Sequence, residues 1–114
     1  MTRSPLHALL LLIGLAHCAP IFANEADGSS LYTACASCHG AQAEGNPVLQ
    51  APALAGLNAD YLSRQLQHFK TGQRGSDPAD TVAAPMRAMA ATLADEHAVT
   101  AVATYLAGLP LPTL

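Results

Sequence analysis

The chain has 114 residues, a formal net charge of −3 and no tryptophan. This length is enough for one domain, and a small domain often needs a disulfide, a metal or a cofactor to complete its core. With two Phe and three Tyr, and with alanine supplying much of the apolar fraction, the sequence offers little bulk for that core. The charge balance argues against a nucleic-acid partner, because no basic cluster exists to displace counterions from phosphates.

Residues 1–23 are predicted to form a secretory signal peptide. Arg3 gives a positive start, an almost unbroken apolar stretch follows, and Ala23 is a small residue before the predicted cut. The apolar stretch is too short for a comfortable membrane span. Retention of the leader as a membrane anchor and lipid attachment at Cys18 are the alternatives. Cleavage after Ala23 would release residues 24–114 as the exported, periplasmic domain.

The rest of the chain is predicted to be all-α, because no stretch alternates with period two. Three main helices are predicted, over residues 28–36, 59–71 and 95–107. The second has the clearest ends, since Asn58 can cap its start and Gly72 can close it in a left-handed conformation. Two long loops rich in Gly and Pro join the helices. Loops of this length in a small domain suggest that something large organises them.

Residues 35–39 form the run Cys-Ala-Ser-Cys-His, a C-x-x-C-H motif that is the signature of c-type haem attachment. Thiols at Cys35 and Cys38, near a helix end, can reach two vinyl groups and add across them as thioethers. His39 would then lie under the iron as an axial nitrogen ligand. The porphyrin would also supply the apolar bulk that the side chains lack.

Three other interpretations of Cys35 and Cys38 are open. A redox dithiol would be expected within a βαβ pattern, which is absent from the sequence. A zinc site would need further cysteines, and residues 24–114 contain no others. A short disulfide is the third. Haem is favoured because the export signal, the adjacent His39 and the poorly filled core all agree with it.

Two methionines, Met86 and Met89, follow the second long loop and are candidates for the other axial position. A methionine in an alanine-rich stretch is usually core filler. A thioether, however, is the usual partner of His in electron-carrying cytochromes, where it raises the reduction potential. We favour Met86 as the ligand, because it follows Pro85 at the end of the loop, and expect Met89 to pack nearby.

Taken in order, these segments resemble the class I c-type cytochromes. They are most similar to the small soluble bacterial monohaem members and to single lobes of the dihaem members. Besides the attachment motif and Met86, the resembling positions are 28–32, 45–47, 52–56, 61–62, 65–66, 69, 72, 74, 93–96 and 105–106. The resemblance implies the class I cytochrome c fold, in which three main helices and their loops surround one covalently bound haem c.

The resemblance also implies roles for two loop residues. The main-chain carbonyl of Pro52 would accept a hydrogen bond from His39, which would orient the imidazole and tune the iron. Arg74 would pair with a haem propionate, since a guanidinium suits carboxylates. The alternative for Arg74 is a solvated loop charge.

The sequence departs from the family pattern at two positions. Ala94 stands where the family usually has a serine cap, so the last helix either starts loosely or uses Asp95 instead. Ala43 stands where glycine is common, so the loop after the attachment motif is expected to differ locally. Neither position is a predicted haem ligand.

These features together predict a periplasmic one-electron carrier between redox proteins, with no catalytic constellation of its own. Residues 24–114 hold eight acidic and four basic residues, a formal charge of −4, which suits a basic redox partner. Membrane contact is expected only through partner complexes or an uncleaved leader. One alternative is the cytochrome subunit of a larger periplasmic oxidoreductase, and another is a haem-based ligand sensor with an open iron position.

Overall fold

The computed structural model describes residues 27–113. The predicted signal peptide, with Arg3, Cys18 and the predicted cut after Ala23, lies outside them. The described part contains four helices: α1 Gly28–His39, α2 Ala59–Thr71, α3 Ala84–Ala91 and α4 Glu96–Ala107. It has no β-strand, and the all-α prediction is therefore confirmed. None of its helices is both long enough and apolar enough to cross a bilayer.

Local capping sets the ends of α1 and α2. The carboxylate of Asp27 accepts a hydrogen bond from Ser29 N at 3.2 Å and another from the Ser29 hydroxyl, and these bonds hold the pKa of Asp27 below its ordinary value. Asn58 Oδ1 accepts from Tyr61 N at 3.0 Å, and Gly72 ends α2 with φ of 78°. The predicted bounds of α2 are therefore those observed, whereas α1 continues three residues beyond its predicted end.

Helix α4 begins with a side-chain cap although Ala94 cannot provide one. Asp95 is the N-cap, and its Oδ1 accepts a hydrogen bond from Ala98 N at 2.9 Å. Of the two outcomes expected from Ala94, the structure shows the substitution by Asp95. Because the cap is at Asp95 and not at position 94, α4 begins at Glu96, one residue after its predicted start. The face that was predicted to be buried is still the buried one.

The structure adds a fourth, short helix in the segment predicted as loop. Helix α3 has eight residues, and Pro85 lies in its first turn, where a missing N–H costs no hydrogen bond. The sequence pattern missed α3 because it spans only about two turns, too few for an apolar stripe to show a period. Its alanine content favours the helix once the neighbouring chain positions it.

The core is built around α4, which packs against α1 and α2, while α3 packs against α2. The largest fully buried side chains of the described part are only Val99 and Val102, both on α4. Helices α1 and α4 approach closely where Gly28 meets Ala101, since a Cβ at Gly28 would lie 2.3 Å from the Ala101 carbonyl oxygen. The scarcity of bulky buried side chains agrees with the expectation that another group completes the core.

Ala43 lies in the loop between α1 and α2, at the position where glycine is common in the family. Ala43 has φ of 55° and is completely buried. Its carbonyl accepts hydrogen bonds from Leu54 N at 2.8 Å and from Ala55 N at 3.1 Å. This left-handed backbone favours glycine, so the two hydrogen bonds and the burial hold alanine in a conformation it rarely adopts.

Candidate haem-binding site

His39 ends α1 with its imidazole buried and held by the following loop. The side chain is 4% exposed, and its Nδ1 lies 2.8 Å from the main-chain oxygen of Pro52. Because a carbonyl oxygen can only accept, Nδ1 carries the proton and the lone pair belongs to Nε2. The hydrogen bond that the resemblance implied is present, and it leaves His39 in the tautomer that can bind a metal through Nε2.

The chain that brings Pro52 to His39 has a defined conformation. Asn46 and Ala51 form an isolated bridge with two main-chain hydrogen bonds, at 2.8 and 3.0 Å. Gly45 N donates to the His39 carbonyl at 2.7 Å. A Cβ at Gly45 would lie 2.6 Å from Ala53 N, so only glycine fits this turn. The sequence marks Gly45 as a turn residue but gives no sign of this close approach.

Tyr32 supports the same region from inside α1. Its hydroxyl donates to the Gly40 carbonyl at 2.6 Å, and its ring lies 5.7 Å from that of Tyr105. The side chain is 3% exposed, and burial raises the pKa of Tyr32 to about 12. The hydroxyl thus fixes the turn that leaves His39. This contact could not be predicted from the sequence, because its acceptor is a main-chain carbonyl.

Cys35 and Cys38 lie on the last turns of α1, and neither is in a disulfide. Cys35 is half-buried and Cys38 is exposed. Burial, and after it the charge of Cys38, raises the pKa of the Cys35 thiol above its ordinary value. Within residues 27–113, no group of three or more His, Cys, Asp and Glu side chains is placed to hold a metal ion. The described residues therefore contain neither the disulfide nor the completed zinc site considered above.

Met86 and Met89 both lie on α3 and both are half-buried. Helix α3 packs on α2, and α1 packs on α4, whereas α1 and α3 do not pack extensively on each other. The helix that ends in His39 and the helix that carries the methionines are thus the two ends of the packing series α1–α4–α2–α3. Such an arrangement is expected when a separate group fits between the two outer helices.

Arg74 is held against α2. Its Nη1 donates to Gln65 Oε1 at 2.7 Å, and its guanidinium carbon lies 4.4 Å from the centre of the Phe69 ring. Arg74 is exposed, and these two contacts place its guanidinium against the side chains of α2. Its other N–H groups are left for a carboxylate, because a guanidinium has five donors.

The residues present fit a covalently attached haem. Helix α1 carries two thiols and an imidazole whose Nε2 is left to bind a metal, and α3 carries two thioethers. These two helices do not pack extensively on each other, and the core has little bulk of its own. A family model described as Cytochrome c matches residues 25–110. The chain belongs to the cytochrome c family. As a cytochrome c domain it carries haem c, bound covalently and containing iron.

Similar proteins agree with this assignment. The cytochrome is 40% identical over 99 residues to a thiosulfate dehydrogenase electron acceptor of Stutzerimonas stutzeri, covering 79% of this chain and 42% of that protein. It is 36% identical over 76 residues to cytochrome c4 of Azotobacter vinelandii, covering 67% and 34%. The crystal structure of reduced recombinant cytochrome c4 from Pseudomonas stutzeri superposes with a TM-score of 0.63 at 29% identity, over 73% of this chain and 46% of that one. The chain spans less than half the length of each.

Proposed function

We propose that this cytochrome is an exported carrier that passes one electron at a time between redox proteins in the periplasm and has no enzymatic activity of its own. The observation that carries the proposal is the hydrogen bond of His39 Nδ1 to the Pro52 carbonyl, at 2.8 Å, on a helix that ends in C-x-x-C-H. It fixes an imidazole nitrogen as a metal ligand before any metal binds. The bound haem supplies an iron that alternates between the ferric and ferrous states.

Each site residue then has a role. Cys35 and Cys38 would hold the porphyrin as thioethers, and His39, oriented by the Pro52 carbonyl, would bind the iron through nitrogen. Met86 would be the second protein ligand of the iron, and a thioether ligand would raise the reduction potential. With both ligands bound, His39 and Met86 would exclude water and small molecules from the iron, which suits a carrier and disfavours the ligand-sensor alternative.

Arg74 is proposed to face a haem propionate. Its contacts with Gln65 and Phe69 restrict the guanidinium, so little side-chain entropy is lost when it pairs with a carboxylate. We expect Arg74→Lys to be a poor replacement, because an ammonium cannot donate to Gln65 and to a carboxylate with the same planar geometry. A change in reduction potential in Arg74→Gln, absent in Arg64→Gln, would support the assignment.

The names of two relatives favour a second candidate function, the cytochrome subunit of a larger oxidoreductase. Both are called thiosulfate dehydrogenase electron acceptors, from Stutzerimonas stutzeri and Thiomonas intermedia. In that case the chemistry would belong to another chain and this domain would receive its electrons. Gel filtration of the natively produced protein distinguishes the two: a fixed complex with a second protein indicates a subunit, and a monomer that reacts transiently indicates a carrier.

Absorption spectra of the exported protein, oxidised and reduced, test the proposal. Covalent haem that stays with the chain after acid–acetone extraction and a low-spin spectrum with the methionine–iron band are expected. Met86→Ala should abolish that band, and the matched variant Met89→Ala should keep it. Loss of the band in Met89→Ala instead would show that the ligand is Met89. If the reduced native protein readily binds carbon monoxide, the result would favour the alternative of a haem-based ligand sensor.

Export is tested separately on the same protein. The predicted signal peptide, residues 1–23, gives a mature chain that begins at Asn24, and the proposed periplasmic location rests on that prediction. Osmotic-shock release followed by N-terminal sequencing should yield a haem-bearing chain starting at Asn24. A chain that stays with the membrane and keeps its leader would instead support the anchor alternative.

A further inference from the structure

Helix α3, which carries both methionines, has little support of its own. Its N-cap Ala83 makes no side-chain cap, its first turn has no acidic residue and its last turn has no basic residue. An eight-residue helix is marginal in isolation, and its terminal carbonyls need partners from elsewhere. At its start, Asp80 Oδ1 accepts a hydrogen bond from Ala83 N at 2.8 Å. The position of α3 is therefore set by neighbouring segments.

Lys70 holds the other end of α3 from a different helix. It lies in the last turn of α2, is half-buried, and its Nζ donates to the main-chain carbonyl of Leu93. Leu93 directly follows Thr92, the C-cap of α3, and is 5% exposed. Leu93 belongs to the core, and the contact of its carbonyl with Lys70 is part-buried, so water competes with the ammonium less than it would at the surface.

The chemistry of this contact makes Lys70 more than a surface charge. A hydrogen bond from a charged donor is roughly twice as strong as one between neutral groups. An ammonium is also favourable near the negative end of a helix, and here it lies at the C-terminal ends of both α2 and α3. Lys70 therefore joins the helix that packs on the core to the helix that carries Met86.

We propose that Lys70 is a positioning residue for the methionine ligand. Its bond to the Leu93 carbonyl would hold α3 in the position from which Met86 would bind the iron. In this proposal the methionine detaches when α3 moves, and that movement breaks the Lys70 contact. Removing the contact therefore shifts the population toward the detached state. This inference rests on the proposed function, in which Met86 is the axial ligand.

Imidazole binding to the ferric holoprotein measures the detached population. Imidazole competes for the position that Met86 holds, so its apparent affinity rises in proportion to the fraction of protein with the methionine detached. We expect Lys70→Met to bind imidazole about tenfold more tightly, which corresponds to about 1.4 kcal/mol. Lys70→Arg keeps a charged donor and should stay within about twofold of the parent. Arg64→Met, on the exposed face of the same helix, should also stay within about twofold.

A purely structural role for Lys70 gives a different result. It would lower the denaturation midpoint of Lys70→Met and leave the imidazole affinity within about twofold of the parent, because the unfolded fraction is negligible in either case. That outcome overturns the inference. If Lys70→Met yields no haem-bearing protein, Lys70→Gln keeps a neutral donor and should bind imidazole about threefold more tightly. Unchanged affinity in Lys70→Gln would then overturn it.

Met86→Ala separates this inference from the proposed function. It should bind imidazole more tightly than any Lys70 variant, because the Met86 thioether no longer competes for the iron. If Met86→Ala leaves the affinity and the methionine–iron band unchanged, the proposed ligand is wrong and the role of Lys70 is overturned with it. If Met86→Ala behaves as expected and Lys70→Met does not, the ligand assignment stands and only the role of Lys70 is overturned.

Discussion

Nδ1 of His39 lies 2.8 Å from the main-chain oxygen of Pro52, thirteen residues further along the chain. The contact determines which imidazole nitrogen carries the proton, and hence which one can bind a metal. The acceptor is a backbone atom, so no substitution at Pro52 removes it directly. The contact can therefore be perturbed only indirectly, by substitutions that change the conformation of the loop between His39 and Pro52.

Gly45→Ala should distort that loop. Gly45 has φ of 85°, and a Cβ there would lie 2.6 Å from Ala53 N. The left-handed conformation alone costs a non-glycine residue about 1–2 kcal/mol, and the contact with backbone adds to it. We expect the free energy of unfolding to fall by about 2–4 kcal/mol, measured by denaturant titration of the holoprotein.

Gly108→Ala is the matched control for Gly45→Ala. Gly108 has φ of −81°, and its added Cβ would meet nothing closer than 3.5 Å. Its effect should stay within about 1 kcal/mol in either direction, because alanine adopts this backbone freely. If Gly45→Ala and Gly108→Ala lower the free energy of unfolding equally, the loop around Gly45 has no special requirement for glycine.

Tyr32 should make stability fall at alkaline pH. Burial raises its pKa to about 12 from an ordinary value of 10.0. Between these values the folded protein keeps a proton that the unfolded chain has lost, so folding is favoured below pH 10 and this contribution is lost as pH rises toward 12. In Tyr32→Phe the free energy of unfolding should depend less on pH in that window.

The same variant also loses a hydrogen bond. Without the hydroxyl the Gly40 carbonyl loses its partner, so we expect Tyr32→Phe to be less stable at neutral pH by about 1–2 kcal/mol. Tyr61→Phe is the control, because Tyr61 is 44% exposed. Denaturant titrations of both variants from neutral to alkaline pH give the comparison. The prediction fails if the slopes of Tyr32→Phe and the parent are the same.

Asp95→Ala should loosen the start of α4. Its Oδ1 accepts the hydrogen bond from Ala98 N at 2.9 Å, and Ala94 offers no replacement. Loss of an N-cap typically costs about 1 kcal/mol. Thermal unfolding should show this loss for Asp95→Ala and a smaller one for Asp60→Ala, because Asp60 is an exposed acid that interacts with the first turn of α2 only through its charge. The double variant Ala94→Ser with Asp95→Ala should recover part of the stability if serine can take over the cap.

The net negative charge should appear in the kinetics of electron transfer. Oxidation of the reduced protein by a cationic cobalt(III) complex should slow several-fold as ionic strength rises from about 0.01 to about 0.15 M, because the screening length falls from about 30 to about 8 Å. Oxidation by the ferricyanide anion should speed up over the same range. Stopped-flow measurements with both oxidants test this, and a salt response of one sign for both would rule out charge steering.

The ends of α2 and the attachment motif show what local sequence can specify. Asn58 caps the start of α2 and Gly72 closes its end, and each of them acts on backbone groups only a few residues away. The sequence near each end is therefore enough to predict it. Helix α3 was not predicted, because a short helix has no clear periodicity and this one relies on Asp80 and Lys70 outside it. The contacts of Arg74 with Gln65 and Phe69 could not be predicted from the sequence, because they depend on how the chain turns back after α2.

The sequence by itself determined the chemistry of this cytochrome: two thiols and an imidazole within five residues specify covalent haem, because the reacting groups are held together by one helix end. It also determined the main helices, through apolar periodicity and local caps. Only the tertiary structure decided which nitrogen of His39 is free and how α3 is held. Those properties depend on the Pro52 and Leu93 carbonyls, and a backbone carbonyl has the same chemistry at every position until folding gives it a partner.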